Sequence, residues 1–313
     1  MRSLSRCALV AILLFFSGMF SPGDEIDAAI TNEMKPDHLV MSRGGVCIGE
    51  FWFDHPVILR PFFANLRAPD GTQITRTFPP VEGIDATDHA EMHPGLWLGF
   101  GNLAGEDFWR NKGRIHHEGF LKDPEWQGDR LTFTTKCSLI GSDGGEIAMM
   151  ENRFEFIPDQ GIMRIVWDAM LTPVIEGFFF GDQEEMGLGV RVATPLTEKR
   201  GGLITNSFGT TTAKATWGQP AAWCDYSGLI DGKRVGVMIV PDAANSAPSW
   251  WHNRDYGVFV SNPFGRSAMK QGDLSRIEVK PGETYRLKHH VILHSAQANE
   301  TVDLKTLVRE AQQ

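Results

Sequence analysis

The stretch NRFEFIPDQGIMRIVWDAMLTPV, residues 152–174, carries the reading of the fold. Phe154 and Phe156 alternate with Arg153 and Glu155, so an extended chain puts rings on one face and charges on the other. The cluster Pro158-Asp159-Gln160-Gly161 is a turn, and the run from Met163 to Val174 that follows is apolar and rich in branched and aromatic side chains. Two such runs about a tight turn read as an antiparallel hairpin. A sheet built of such hairpins has an apolar face that needs a cover.

The same pattern recurs along the chain. GVCIGEFWF (45–53), LTFTTKCSLI (131–140), KRVGVMIVP (233–241), YGVFVSN (256–262) and YRLKHHVILH (285–294) are short strand-like runs. Asp70-Gly71, Asp143-Gly144 and Asp231-Gly232 are hairpin loops by composition. Helical periodicity is confined to the tail, where Val302, Leu304, Leu307 and Val308 form one apolar stripe and Asn299 or Thr301 supplies the cap. There is no repeat of 20–50 residues to suggest a propeller or solenoid. The expectation is an all-β fold of two packed sheets with a short C-terminal helix.

Arg2 and Arg6 precede an apolar run from Ala8 to Phe16, then Ser17, Gly18, Ser21, Pro22 and Gly23. That is the layout of a secretory signal peptide over residues 1–23, with a single domain over 24–313. The run is shorter than the roughly 20 residues a membrane span needs. The expected product is exported, periplasmic or extracellular, with no stable membrane insertion; an uncleaved N-terminal anchor is the alternative. A net charge of −9 argues against nucleic acid as a partner. Beyond the leader, three cysteines at wide spacing, Cys47, Cys137 and Cys224, form no disulfide framework and leave any single pairing open. No GxSxG, phosphate-binding loop or GxGxxG occurs, so nucleophile-elbow hydrolase, nucleotidase and dinucleotide readings lack support.

Chemistry-bearing residues gather in a few places. His89 and His93 lie four apart beside Asp85, Asp88 and Glu91, just before Pro94-Gly95. They can share one cleft from a loop or remain solvated. In GRIHHEGF (113–120), adjacent residues on a strand point opposite ways, so one of His116 and His117 can join a given cleft. In GDQEEMGLGVRVA (181–193), alternation puts Val190 and Val192 on one face and Arg191 on the other. Buried, Arg191 needs a partner. Glu185 is the candidate, as partner or general base, with Glu184 its solvated neighbour. WWHNRDYG (250–257) sets Trp251, His252, Arg254, Asp255 and Tyr256 together. Aromatic faces beside convergent polar groups suit a sugar ring, and Arg can clamp a carboxylate or oxyanion. Structural roles compete for each of these residues: ion pairing for Glu185 and Arg191, core packing for the tryptophans.

Four stretches together resemble a family. They are RPFFANLRAPDGTQITRTFPP (60–80) running into DHAEMHPGLWLGFGNLAGEDFW (88–109), GRIHHEGF, FGDQEEMGLGVRVATPL (180–196), and WCDYSGLIDGKRVGVMIV (223–240) with WWHNRDYGVFVSNPFG (250–265). The chain resembles, roughly from Val46 to His294, the bacterial secreted family labelled methane oxygenase PmoA-like, whose function is unknown. The methane-oxidising enzyme of that label is a membrane protein, so the name implies no methane chemistry for a chain without a long apolar segment after its leader. The resemblance implies a β-supersandwich similar to galactose mutarotase, and it favours His93, His117, Glu185 and Arg191 as site residues. Met92 stands where that family usually has another histidine, which weakens a three-histidine metal site in this segment.

Three functions follow as expectations. The first is an exported carbohydrate-active enzyme, of glycoside hydrolase, lyase or epimerase type. His93, His117 or His252 would be the acid, Glu185 the base, and Arg191, Trp251, Arg254, Asp255 and Tyr256 would bind the sugar or a sugar-derived small molecule. No cofactor is expected in that case. The second is a divalent metal site of zinc, copper or iron on His89, His93, His117 and His252. The third is a non-catalytic sugar-binding module.

Overall fold

A computed structural model describes residues 30–311 apart from Asp129 and Gln160. The signal peptide read from residues 1–23 lies outside the described residues.

Two eight-stranded antiparallel sheets face each other. The first runs in the order Ile30–Met34, His38–Arg43, Val46–Trp52, Phe62–Ala64, Leu96–Phe100, Met186–Arg191, Val258–Asn262 and Trp250–Trp251. The second runs Leu203–Asn206, Cys224–Ile230, Lys233–Pro241, Tyr285–Gln297, Ile162–Pro173, Glu146–Asp159, Arg130–Ile140 and Arg114–Gln127. The expected all-β fold with two packed sheets and a small C-terminal helix is the one observed.

The hairpin of residues 152–174 lies in the middle of the second sheet. Glu146–Asp159 pairs Ile162–Pro173 directly, with Phe154 opposite Trp167 and Phe156 opposite Ile165. Phe154 and Phe156 point inward, where they meet Phe63 of the first sheet at ring distances of 5.2 and 5.4 Å. Arg153 and Glu155 point outward and pair with each other at 2.9 Å. Period two therefore fixes which face meets the other sheet. Asp231 and Gly232 turn the 224–241 hairpin with φ of 50° and 77°, the geometry that favours this dipeptide.

The tail helix spans Leu304–Ala311. Its cap is neither Asn299 nor Thr301. Asp303 accepts from the Lys305 and Thr306 amides at 3.1 and 3.3 Å, because its carboxylate stands at the position where the first free N–H groups point. Leu307 packs the helix against Met238, Val240 and Ile292 on the outer face of the second sheet. The three cysteines are free thiols. No described helix is long and apolar enough to cross a membrane.

Candidate functional site

The first sheet is covered on both faces at its centre. Along Leu96–Phe100 the inward residues are Leu96, Leu98 and Phe100, so Trp97 and Gly99 face outward. The neighbouring strand Met186–Arg191 alternates the same way. Met186, Leu188 and Val190 enter the core, and Gly187, Gly189 and Arg191 face out. Register sets Gly189 opposite Trp97 and Gly187 opposite Gly99. On the outer surface Trp109, Trp97 and Arg60 close over Gly99, at 3.3–3.5 Å from the position a Cβ would take, and the Trp97 indole lies where a side chain at Gly189 would project, 2.6 Å from the position of its Cβ.

Residues 88–93 fold over this floor. The His93 amide donates to the His89 carbonyl at 2.9 Å, a single turn that sets the two rings 5.4 Å apart. His93 stacks on Trp97 at 5.1 Å and meets Trp109 edge-on at 5.8 Å. His89 in turn stacks on Tyr256 at 6.1 Å. Burial, and then the charges of Arg191 and Arg60, hold the His93 pKa well below that of a free imidazole. His93 is therefore neutral at pH 7. His252 is close enough to add to that depression.

Arg191 is buried, and its partner is Asp88, not Glu185. Its two terminal nitrogens donate to the two Asp88 oxygens at 3.0 and 2.8 Å, a bidentate pair that a planar guanidinium favours. Its guanidinium also lies over the Tyr256 ring at 4.9 Å. Burial of Asp88 works against its charged form, but hydrogen bonds from Arg191 and His89 outweigh it and hold the carboxyl well below its usual pKa. Replacing Asp88 with Asn leaves a buried guanidinium without its counter-charge. Breaking a buried pair costs about 3–5 kcal/mol, and since Asp88 is 41% exposed, solvent reduces this to about 2 kcal/mol. A carboxyl with a depressed folded pKa stabilises fully above its unfolded pKa of about 3.9 and less as pH falls through the folded value. The gap between wild type and Asp88→Asn in urea unfolding is expected to be full at pH 7 and to close in strong acid.

The two glutamates divide differently from the sequence expectation. Glu184 meets the histidine: its Oε2 accepts from Arg254 at 3.1 Å and lies 3.5 Å from His252 Nδ1, a contact without hydrogen-bond alignment. His252 and then Arg254 hold the Glu184 carboxyl below its usual pKa despite burial, while burial lowers that of His252. Glu185 forms an ion pair with Arg110, which also bonds Asp107 at 3.1 Å. The side chain one position further along an irregular segment points elsewhere, and sequence periodicity does not reach across the bend before Met186.

Three other expected residues are not brought into this cluster. Trp251 is no platform: it points into the inter-sheet core, stacked on Phe259, and its indole N–H donates to the Ala221 carbonyl at 3.0 Å. It faces inward because its partner in the ladder, Ser261, does. Asp255 is exposed and lies 3.7 Å from Lys199. His117 is on the edge strand of the second sheet, opposite buried Cys137, with Phe53 and Phe120 as ring neighbours. Burial takes its pKa down to about 4. Among the described residues no three His, Cys, Asp or Glu side chains gather closely enough to hold a metal ion, and His117 in particular stands apart from His89, His93 and His252.

Sequence reasoning passed over Trp97, Trp109 and Arg60, and it saw Asp88 only as an acidic neighbour of the histidines, not as the partner of Arg191. Alternation in LWLGFG carried a signal for Trp97. None marked Arg60, whose terminal nitrogens donate to the carbonyls of Met92, Phe108 and Trp109 and to Asn111, all distant in sequence.

Residues 40–307 match a family of unknown function, DUF6807. The chain belongs to that family. The match gives no support to the methane-oxygenase label of the sequence resemblance. No curated protein matches the chain. Among solved structures, a galactose mutarotase-like protein from Lactobacillus casei ATCC 334 is similar at 8% identity and a TM-score of 0.37, over 85% of this chain and 100% of that one. A galactose mutarotase related enzyme from Lactobacillus acidophilus is similar at 11% identity and a TM-score of 0.34, over 87% of this chain and 99% of that one. Neither likeness is close enough to carry a residue from one site to the other, so the site stands on its own geometry.

Proposed function

We propose that this DUF6807 chain is an exported carbohydrate-active enzyme, of hydrolase, lyase or epimerase type, working as one domain after loss of its leader. Its site is the outer face of the first sheet around His93, Trp97, Trp109, Arg191, His252, Arg254 and Tyr256. One observation carries the reading. On this one face, buried polar atoms of His93, Trp97, Trp109, Arg60 and Arg191 have no hydrogen-bond partner among the described residues. Buried polar groups are nearly always satisfied, and a cluster of exceptions beside aromatic rings is what a polar, ring-shaped ligand completes.

Proton transfer falls to His252. A carboxylate on the Nδ1 side favours the tautomer with the proton there and makes Nε2 the basic nitrogen. Glu184 is the orienting carboxylate, in place of Glu185 as base. His93, neutral and stacked on Trp97, offers an N–H to a sugar oxygen, and Arg254 and Arg191 bear on developing negative charge. Proton exchange at an anomeric or ring-adjacent position is within reach of this set, and no cofactor enters it.

Mono- and oligosaccharides are to be incubated with mature protein while NMR follows anomer exchange, bond cleavage and elimination products. Turnover of at least one sugar that disappears in His252→Ala is the expected result. Turnover untouched in both His252→Ala and His93→Ala would put the chemistry elsewhere. Binding without turnover would make the chain a sugar-binding module.

A further inference from the structure

We infer that His89 is a second proton-transfer residue of this site, an imidazole oriented by Asp88 whose free Nε2 meets the bound sugar. The inference rests on the carbohydrate reading and adds to it the group that works opposite His252.

The first observation is a carboxylate–imidazole dyad. Asp88 Oδ2 lies 3.0 Å from His89 Nδ1. The carboxylate cannot turn away, because buried Arg191 donates to both of its oxygens at 3.0 and 2.8 Å. A carboxylate has about four lone-pair sites, so the bidentate pair leaves one for the imidazole N–H. Burial of Asp88 opposes its charge, but hydrogen bonds from Arg191 and His89 outweigh it, and the group stays ionised at neutral pH. A carboxylate at Nδ1 holds the proton there and leaves Nε2 as the nitrogen that gives or takes.

The second observation is access. The His89 side chain is 46% exposed, whereas His93 and His252 are 2% exposed. His89 Nε2 has no hydrogen-bond partner among the described residues. His93 lies beside both of the others: its ring is 5.4 Å from that of His89, and His252 is close enough to bear on its charge. Of the three rings, His89 is the one that meets solvent and a ligand arriving from it.

The third is a fixed position. His89 has φ of +49°, in the left-handed region that a residue with a Cβ enters at a cost. Buried Arg76 holds the segment on either side, donating to the carbonyls of Ala86, Asp88 and His93 at 2.8, 2.7 and 2.8 Å. The His89 carbonyl accepts from the Met92 and His93 amides at 3.1 and 2.9 Å, and the ring stacks on Tyr256 at 6.1 Å. A strained residue kept in place by so many contacts is characteristic of functional sites. A solvated loop histidine needs none of them.

The proton count balances. As His252 takes a proton from a sugar hydroxyl, whose O–H pair closes a C=O bond, His89 gives one to the oxygen whose bond to that carbon breaks. That oxygen keeps the bonding pair, and neither oxidant nor reductant is required. His89 then regains its proton from water directly.

Two measurements test this. Nitrogen-detected NMR of the resting mature protein is expected to show the neutral His89 ring with its proton on Nδ1. The proton on Nε2 instead would overturn the dyad. His89→Gly keeps the positive φ and opens space for free imidazole. It is expected to lower kcat on the sugar turned over by about 10²–10⁴-fold, and added imidazole is expected to restore part of the loss in a saturating manner. In His252→Gly, where the ring is buried, imidazole is expected to restore none. Thermal unfolding checks that each variant folds, and His89→Asn, which also tolerates positive φ, replaces His89→Gly for the kcat loss if that variant does not. Turnover that survives His89→Gly but not His252→Ala would overturn His89 and leave the carbohydrate reading standing. A loss that imidazole does not restore would make His89 a support for the loop and overturn its catalytic role. No sugar turned over by the wild type would remove both readings.

Discussion

Gly187→Ala is expected to leave little folded protein. Gly187 has φ of +107°, and a Cβ there would lie 2.0 Å from the Ser261 carbonyl oxygen. The obstacle is backbone, so no side-chain rotation relieves it. The strand cannot move aside either, since it is held by Leu96–Phe100 on one edge and Val258–Asn262 on the other. Positive φ alone costs a side-chain-bearing residue about 1–3 kcal/mol, and with the clash the total is about 4 kcal/mol or more. Domains of this size are stable by about 5–15 kcal/mol, so most of the margin goes. Soluble yield and the urea midpoint measure it. Gly99→Ala is the internal control, because its Cβ meets only side chains, at 3.3 Å and beyond. A Gly187→Ala midpoint equal to that of Gly99→Ala would refute the backbone geometry on which the floor of the site depends.

Glu184→Gln is expected to lower kcat on whichever sugar turns over by up to about 10²–10⁴-fold, the usual contribution of a positioned acid or base, here His252, whose orientation Glu184 supports. The amide keeps the shape and the contact with Arg254 but removes the charge beside His252 Nδ1. Glu184 supports the charged form of His252 against burial, so its loss lowers the His252 pKa further. A base works in its neutral form, above its pKa. The acid limb of the kcat/KM profile should therefore move to lower pH in Glu184→Gln even as the plateau drops. KM should change little, because Glu184 acts through His252. Glu185→Gln, by contrast, loosens Arg110 and is expected to leave the acid limb in place. A shift in Glu185→Gln with none in Glu184→Gln would restore Glu185 as the working carboxylate.

Much of the architecture was legible from local pattern. Phe154 and Phe156 announced their face by alternating with Arg153 and Glu155, and Asp231-Gly232 announced its turn. Arg191 was correctly set on the face opposite Val190 and Val192. Local reading failed where the chain leaves regular structure. WWHNRDYG looked like one platform, yet Trp251 enters the core, Asp255 faces solvent near Lys199, and only His252, Arg254 and Tyr256 reach the cluster. Glu185 was read as the partner of Arg191 or the base and Glu184 as its solvated neighbour, yet past the bend before Met186 it is Glu184 that meets His252 and Arg254, and Glu185 pairs with Arg110.

The sequence by itself determined the two sheets and most of the hairpins, together with the faces of the strands. Those depend on neighbours one or two positions apart, and the physical signal is a period of two against a hydrophobic cover. Only the tertiary structure decided the site. Asp88 and Arg191 are 103 residues apart, and Glu184 and Arg254 are 70 apart. Which carboxylate meets which guanidinium depends on sheet register and loop path, and a charge carries no local pattern that names its partner.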